Sequence, residues 1–154
     1  MSILANDFFQ YTAGTTVLPA GLPPGAFAPL ITVYYGGGVT TPGHLHYLNS
    51  GTGNWTLANA TAVASGEDED LAIAMGATPA AGMMLRGWYN ILAADLNGAW
   101  ANGGDLWMDV NAGHFATNAA VPAVAGNVRR ILGAGTNVAN VFLFQPDGAW
   151  AVVA

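Results

Sequence analysis

The sequence predicts an all-β fold, a duplicated set of short strands in a β-sandwich or small barrel, with an extended N-terminal arm. The first observation is an alternation of period two, in which Leu45 and Tyr47 alternate with His44 and His46. The second is that turns rich in glycine and asparagine separate such segments. The third is that the alanine-rich stretch 92–101 contains a turn sequence, Asp-Leu-Asn-Gly, which stops any helix early.

Residues 1–42 form the predicted arm. Five of the chain's eight prolines lie in this segment, together with the run of glycines at 36–38, so long regular elements are not expected there. The one good strand in it is Leu30–Tyr35. The arm also carries aromatic residues that would be poorly solvated if left bare, namely Phe8, Phe9, Tyr11, Phe27, Tyr34 and Tyr35. We therefore expect the arm to bind a partner, with its strand added to the edge of a neighbouring sheet.

Residues 43–154 are predicted to form a β-body made of two similar repeats, at about 43–91 and 104–153. Glycines and apolar strand segments recur in the same order in both, at separations of about 57 to 61 residues, which indicates an old duplication. One repeat is too small a set of strands to be stable alone. We therefore expect the two repeats to share one core, so that 43–154 folds as a unit.

The composition points to an assembled protein. Hydrophobic residues make up 53% of the chain and charged residues 8%, whereas ordinary soluble domains have about a quarter charged. The surface must therefore be largely uncharged or covered by partners. Because the net charge is −6, with three arginines and no lysine, nucleic acid and anionic membranes are excluded as partners. Because there is no cysteine, disulfides and thiolate metal sites are excluded as well.

Catalytic chemistry is not indicated by the sequence. It has no Gly-x-Ser-x-Gly elbow, no phosphate-binding glycine-rich loop and no pair of carboxylates with an acid and base contrast. A Ser/His/Asp triad would have to use Ser50 or Ser65, both of which lie in turn contexts. We therefore assign no catalytic residue and expect no cofactor and no enzymatic activity.

The three histidines allow a second interpretation. His44 and His46 are two residues apart on a predicted strand, so both rings point to one face and could share a metal ion with His114. The same spacing is typical of two strand residues that face solvent and bind nothing. The solvent-facing interpretation is preferred, and no metal ligand is assigned.

A run of four acids concentrates much of the negative charge. It could bind Ca²⁺, but calcium loops wrap their ligands around the ion, and a solvated loop is the simpler interpretation. In the duplicated frame, Glu69 and Asp70 match Arg129 and Arg130. Opposite charges at equivalent positions predict pairing between the repeats or between subunits. The residues concerned are Glu67, Asp68, Glu69, Asp70, Arg129 and Arg130.

Several motifs resemble those of a known group of proteins. They are Gly43-His44-Leu45-His46-Tyr47, Gly104-Asp105-Leu106-Trp107-Met108, Gly126-Asn127-Val128-Arg129-Arg130-Ile131-Leu132-Gly133 and Phe144-Gln145-Pro146-Asp147-Gly148-Ala149-Trp150. Their succession over residues 43–154 resembles β-rich virion proteins of tailed bacteriophages, especially phages of cyanobacteria. In that group the pattern occurs in capsid decoration (cement) proteins and in tail-fibre modules.

This resemblance implies a decoration protein on the outer capsid surface of a virion. Such a protein binds the major capsid protein as a homo-oligomer, here expected to be a trimer, and acts through binding energy alone. The short chain favours this role over the alternative, a tail-fibre or receptor-binding β module. A small hydrolase acting on cell-surface glycans is the third hypothesis and the least favoured, because no positioned acid and base are found.

Overall fold

The structure is a computed structural model that describes residues 21–67, 70–146 and 148–154. Strands account for 41% of it and helical segments for 9%, which confirms the predicted all-β fold. Within the described residues, eleven strands form one curled sheet that makes a half-barrel. Of the two predicted architectures, this curled sheet resembles the small barrel more than the two layers of a sandwich.

The elements are short, as the frequent turn residues predict. The strands are β1 (Phe27–Val33), β2 (Leu45–Asn49), β3 (Asn54–Leu57), β4 (Leu71–Ala74), β5 (Met83–Asn90), β6 (Leu96–Asn97), β7 (Asp105–Met108), β8 (Phe115–Thr117), β9 (Val128–Gly135), β10 (Val141–Phe144) and β11 (Trp150–Val152). The α-helix α1 (Val63–Glu67) and three 3₁₀ turns (Pro79–Ala81, Ala93–Asp95, Asn118–Ala120) lie between them. In the described part of the chain, no helix has the length and apolar character needed to cross a membrane.

The order of strands in the sheet is β3-β2-β4-β5-β10-β9-β7-β8-β6. Its first four strands come from the first predicted repeat, and β10-β9-β7-β8 are the corresponding strands of the second repeat in reverse order. This is the order expected of two copies related by a twofold axis between the central strands β5 and β10. All neighbours in the sheet are antiparallel except β6 and β8, which are parallel.

Strand β5 joins the two halves of the sheet. One of its edges is shared by β4 and β10, and β1 pairs along the other edge, with Phe27 opposite Tyr89 and Val33 opposite Met83. The close approach of β1 depends on Gly87, because a Cβ atom there would lie 2.7 Å from the carbonyl oxygen of Ala28. The strand predicted at Leu30–Tyr35 therefore completes the sheet of its own chain.

The main core is one cluster of buried side chains from β2, β4, β5, β7, β8, β9 and β10 and from the segments beside them. Three aromatic rings, those of Tyr89, Phe115 and Phe142, lie at its centre, with centroids 5.5 to 6.5 Å apart and planes inclined by 52° to 65°. Such tilted contacts are favourable for aromatic pairs. A smaller cluster contains Trp55, which is 2% exposed, together with Ala72, Ala74 and Met83.

Main-chain hydrogen bonds draw the two ends of the curled sheet together. The amide of Leu45 donates to the carbonyl of Gly113 at 2.8 Å, and the amide of Gly113 donates to the carbonyl of Ala58 at 2.8 Å. A third bond runs from the amide of Ala60 to the carbonyl of Asp109 at 2.9 Å. The start of β2 therefore lies beside the turn between β7 and β8, and this juxtaposition creates the cluster described below.

Candidate functional site

The predicted arm is in part integrated into the body. Phe8, Phe9 and Tyr11 lie outside the described residues. The ring of Phe27 stacks on Tyr89, with centroids 4.6 Å apart and planes 12° apart, so it contributes to the main core. Tyr34 and Tyr35 follow β1 and are 66% and 47% exposed.

The expectation that Leu30–Tyr35 would add to a partner's sheet is corrected by these contacts, because β1 pairs with β5 of the same chain. An edge within the chain can be paired without the entropy cost of association. The segment after β1 is held as well, because Trp55 Nε1 donates to the carbonyl oxygen of Tyr35 at 2.8 Å. The Tyr35 hydroxyl lies 3.5 Å from a carboxylate oxygen of Asp70, and burial, followed by that negative charge, raises the pKa of Tyr35.

The structure does not test the predicted pairing between the acidic run 67–70 and the two arginines at 129 and 130. Asp68 and Glu69 lie outside the described residues. Helix α1 ends at Glu67 and contacts β9 and β11. On that strand, Arg130 is 2% exposed, and Arg129 donates from Nε to the carbonyl oxygen of Pro122 at 2.6 Å. The pairing stays a prediction.

An exposed apolar surface surrounds β11, and we call it the β11 patch. Among the described residues β11 pairs only with β9, and all three of its residues are exposed. Hydrogen bonds between Gly126 and Val153, and between Val153 and Asn127, join the loop before β9 to the residue after β11. Helix α1 also contacts β11. The large side chains of the patch are 37% to 68% exposed and are those of Val63, Val124, Trp150 and Val152.

A shallow groove adjoins this patch. Its walls are mostly apolar and are formed by Trp107, Arg129, Ile131, Ala149, Trp150 and Ala151. The tryptophans at 55, 88, 107 and 150 divide into two sets. Trp55 and Trp88 are buried, at 2% and 7% exposed, whereas Trp107 lines the groove and Trp150 is 39% exposed beside it.

A second candidate site is a cluster of two imidazoles and one carboxylate. His44 Nε2 lies 3.5 Å from Asp95 Oδ1, and His114 Nε2 lies 3.7 Å from the same oxygen. The ligand atoms of the three residues all lie within 4.8 Å of one another. The imidazole rings meet edge to face, with centroids 5.2 Å apart. The side chains of His44, Asp95 and His114 are 19%, 12% and 28% exposed, respectively. The cluster is therefore open to solvent on one side.

Three different segments supply this cluster. His44 immediately precedes β2, Asp95 ends the 3₁₀ turn between β5 and β6, and His114 immediately precedes β8. Gly113 has a positive φ of 80°, and a Cβ atom there would lie 2.7 Å from His44 Nδ1. That nitrogen is buried and has no hydrogen-bond partner among the described residues. Nε2 is therefore the ring nitrogen that His44 offers to a ligand.

His46 is not part of the cluster, although the sequence placed it on the same face as His44. Its residue is 1% exposed, its Nδ1 lies 3.0 Å from the carbonyl oxygen of His44, and its Nε2 accepts from the amide of Thr41 at 3.3 Å. Burial lowers the pKa of His46 to about 4, so the folded protein holds it as neutral imidazole near neutral pH. His46 is therefore neither solvent-facing, as preferred from the sequence, nor grouped with His44 and His114, beside which Asp95 lies instead.

Tyr89 lies near the cluster, and the charge of Asp95 acts on its hydroxyl. Burial first, and then the negative charge of Asp95, raise the pKa of Tyr89 to about 12. Its hydroxyl is buried and lies so close to Gly43 that any side chain at that position would collide with it. The cluster is therefore backed by the aromatic core on its inner side.

No protein-family model, no curated protein and no solved structure matches the chain. The resemblance to phage virion proteins consequently rests on the motifs of the sequence itself. What the protein does has to be argued from its surface and from the two candidate sites.

Proposed function

We propose that the protein is a structural protein of a tailed-bacteriophage virion, which decorates and stabilises the capsid by binding major capsid protein subunits. It acts as a homo-oligomer, in trimers, and through binding rather than catalysis. The observation that carries this proposal is the β11 patch, an exposed apolar surface on an edge strand of a chain with very few charges. Surfaces of this kind on soluble proteins commonly mark protein contacts.

The distribution of charge supports a protein partner. Of the three arginines, Arg130 is buried and Arg129 is half-buried against the carbonyl of Pro122. Arg86 donates to the side chain of Gln145 at 3.2 Å. The described surface therefore offers little positive charge to a nucleic acid or an anionic lipid. An interface built on it would gain affinity from apolar burial and main-chain hydrogen bonds, repeated over many copies.

The edge of β11 supplies main-chain groups for such an interface. Because β11 pairs only with β9 among the described residues, its second edge can accept a strand from another subunit. Strand addition of this kind combines hydrogen bonds along the backbone with pockets for alternate side chains. The groove beside Trp150 would receive one such side chain.

A tail-fibre or receptor-binding module is the second candidate. The observation that favours it is the position of Trp150, which is 39% exposed beside an apolar groove. Exposed aromatic faces also serve as platforms for sugars on cell surfaces. A decoration protein would use this surface against capsid subunits, and a fibre module would use it against the host.

The experiment compares two matched substitutions in the full chain. Val152 lies in the β11 patch and is 44% exposed, and Val138 lies in the turn between β9 and β10 and is 46% exposed. Val152→Asp is expected to weaken self-association and rebinding to stripped capsids at least about tenfold, because it places a charge in the apolar contact. Val138→Asp is expected to leave both unchanged. Equal behaviour of the two variants would exclude the β11 patch as the binding surface.

A further inference from the structure

We propose that His44, Asp95 and His114 form a binding site for a single Zn²⁺ ion, which clips the two halves of the curled sheet together. Zinc binding at this site is independent of whether the protein decorates a capsid.

The two separations between Asp95 and the imidazole nitrogens fit ligands that share an ion. A hydrogen bond or tight ion pair would bring nitrogen and oxygen to about 2.7–3.2 Å, whereas Asp95 Oδ1 lies 3.5 Å and 3.7 Å from the two imidazole nitrogens. Zinc binds nitrogen and carboxylate oxygen at about 2.0–2.2 Å, so tetrahedral ligand atoms lie roughly 3.4 Å apart. The two separations from Asp95 are therefore somewhat too wide for direct pairing and close to those that zinc requires. The ligand atoms of the two histidines, which lie within 4.8 Å of each other, would settle at about 3.4 Å around the ion.

The donor set also selects the metal. Two imidazole nitrogens and one carboxylate oxygen are a common set of three protein ligands for zinc, with the fourth position left to water or another ligand. Oxygen-rich sites, by contrast, suit Ca²⁺ and Mg²⁺. The partial exposure of His44 and His114 leaves room for that fourth ligand on the solvent side.

The scaffold holds the ligands in place before any ion arrives. The hydrogen bond from Leu45 to Gly113, at 2.8 Å, ties the residue after His44 to the residue before His114. Gly113 lies close against the His44 side chain, because a Cβ atom at position 113 would lie 2.7 Å from His44 Nδ1. The Asp95 residue as a whole is 8% exposed, so it is buried. A buried carboxylate is costly unless a cation or hydrogen bonds compensate for its charge. A dication between the three side chains would provide that compensation.

The three segments belong to different parts of the chain. His44 starts the first repeat's outer hairpin, His114 lies in the hairpin of the second repeat, and Asp95 lies in the connection between the repeats. An ion bound to all three would join the ends of the half-barrel where main-chain hydrogen bonds already meet. Because zinc would bind the folded state alone, it would raise the stability of the fold by mass action.

The test uses the full chain, free of any histidine tag and stripped of metal with a chelator. Titration with ZnCl₂ is expected to show about one Zn²⁺ bound per chain, and the Tm is expected to rise by about 5 °C or more at a hundredfold excess over Kd. Titration with Co²⁺ supplies an independent readout, because a tetrahedral site with nitrogen and oxygen ligands gives visible absorption bands. Both titrations use protein whose folding has been verified by circular dichroism.

The variants separate this site from adventitious binding. Asp95→Asn keeps the shape of the side chain and is expected to weaken Zn²⁺ binding at least about tenfold, and His114→Asn is expected to do the same. Two matched controls, His46→Gln and Asp105→Asn, remove an imidazole and a carboxylate outside the cluster and are expected to leave binding unchanged. If Asp95→Asn fails to fold, the partly exposed His114 still provides the test. Absence of stoichiometric binding, or equal affinity in cluster and control variants, would overturn the proposal.

Discussion

His46 shows how a single residue can couple the fold to pH. The imidazole in an unfolded chain has a pKa of about 6.5, and burial lowers the pKa of His46 in the folded state to about 4. Between these values the unfolded state binds a proton that the folded state does not bind. The stability linked to His46 is therefore complete above about pH 6.5 and is lost as the pH falls toward 4.

This linkage predicts the behaviour of His46→Gln, which keeps an acceptor for the Thr41 amide but cannot bind the proton. The free energy of unfolding, measured with urea at pH 7 and at pH 4.5, should fall less in the variant than in the unaltered protein, by about 2 kcal/mol. Carboxylates that titrate in the same range contribute equally to both proteins. An equal loss in both proteins would show that His46 is not buried as neutral imidazole.

The sequence could identify some members of the histidine cluster but not its geometry. It singled out His44 and His114 because imidazole is a frequent metal ligand. The sequence interpretation added His46 because it assumed that residues 44–46 form one regular strand. In the structure β2 begins at Leu45, and His46 is buried. Asp95 carried no signal, since an aspartate in a turn is ordinary turn chemistry. Its place beside the histidines depends on the closure of the sheet, which no local pattern encodes.

At the scale of elements, short strands and glycine-rich turns were predictable because they depend on local chemistry. The strand predicted at Leu30–Tyr35 is present, shifted to Phe27–Val33. Its partner was not predictable, because strand propensity does not specify which edge a strand joins. The expectation that 43–154 folds as a unit stays a prediction, and removal of β1 would bare one edge of β5.

The integration of β1 into the fold predicts unequal effects of two aromatic truncations. Phe27 stacks on Tyr89 and packs against the main core, so Phe27→Ala should lower the free energy of unfolding by about 2 kcal/mol, less than for a fully buried ring. Tyr34 is 66% exposed just after β1, so Tyr34→Ala should change it by no more than about 0.5 kcal/mol. Urea unfolding of the full chain measures both. Similar small losses would place Phe27 outside the core.

At the scale of the molecule, the inferred duplication accounts for the sheet. The order β3-β2-β4-β5 and the reversed order β10-β9-β7-β8 place corresponding strands at matching distances from the centre. The repeat was inferred from the sequence because glycines and apolar segments keep their spacing. The curl that brings the start of β2 against the turn before β8 was not visible, because it depends on main-chain hydrogen bonds between distant segments.

The sparse charge of the chain and the exposed β11 patch lead to the central claim, that this protein works by covering other protein subunits in a virion. If β11 and its neighbours form such a contact, every copy of the protein in a particle must be matched by capsid subunits that present the complementary surface. The abundance of the protein in particles therefore distinguishes decoration of a shell from attachment at a single tail.

The most direct measurement of the proposed role is the copy number of the protein in purified particles of a tailed phage that carries its gene. Quantitative mass spectrometry against isotope-labelled peptides would give its ratio to the major capsid protein. The copy number of a decoration protein is expected to approach that of the major capsid protein and to be a multiple of three, as trimers on the shell require. Absence from the particles would contradict the claim, and a few copies per particle would replace decoration by the tail-fibre alternative.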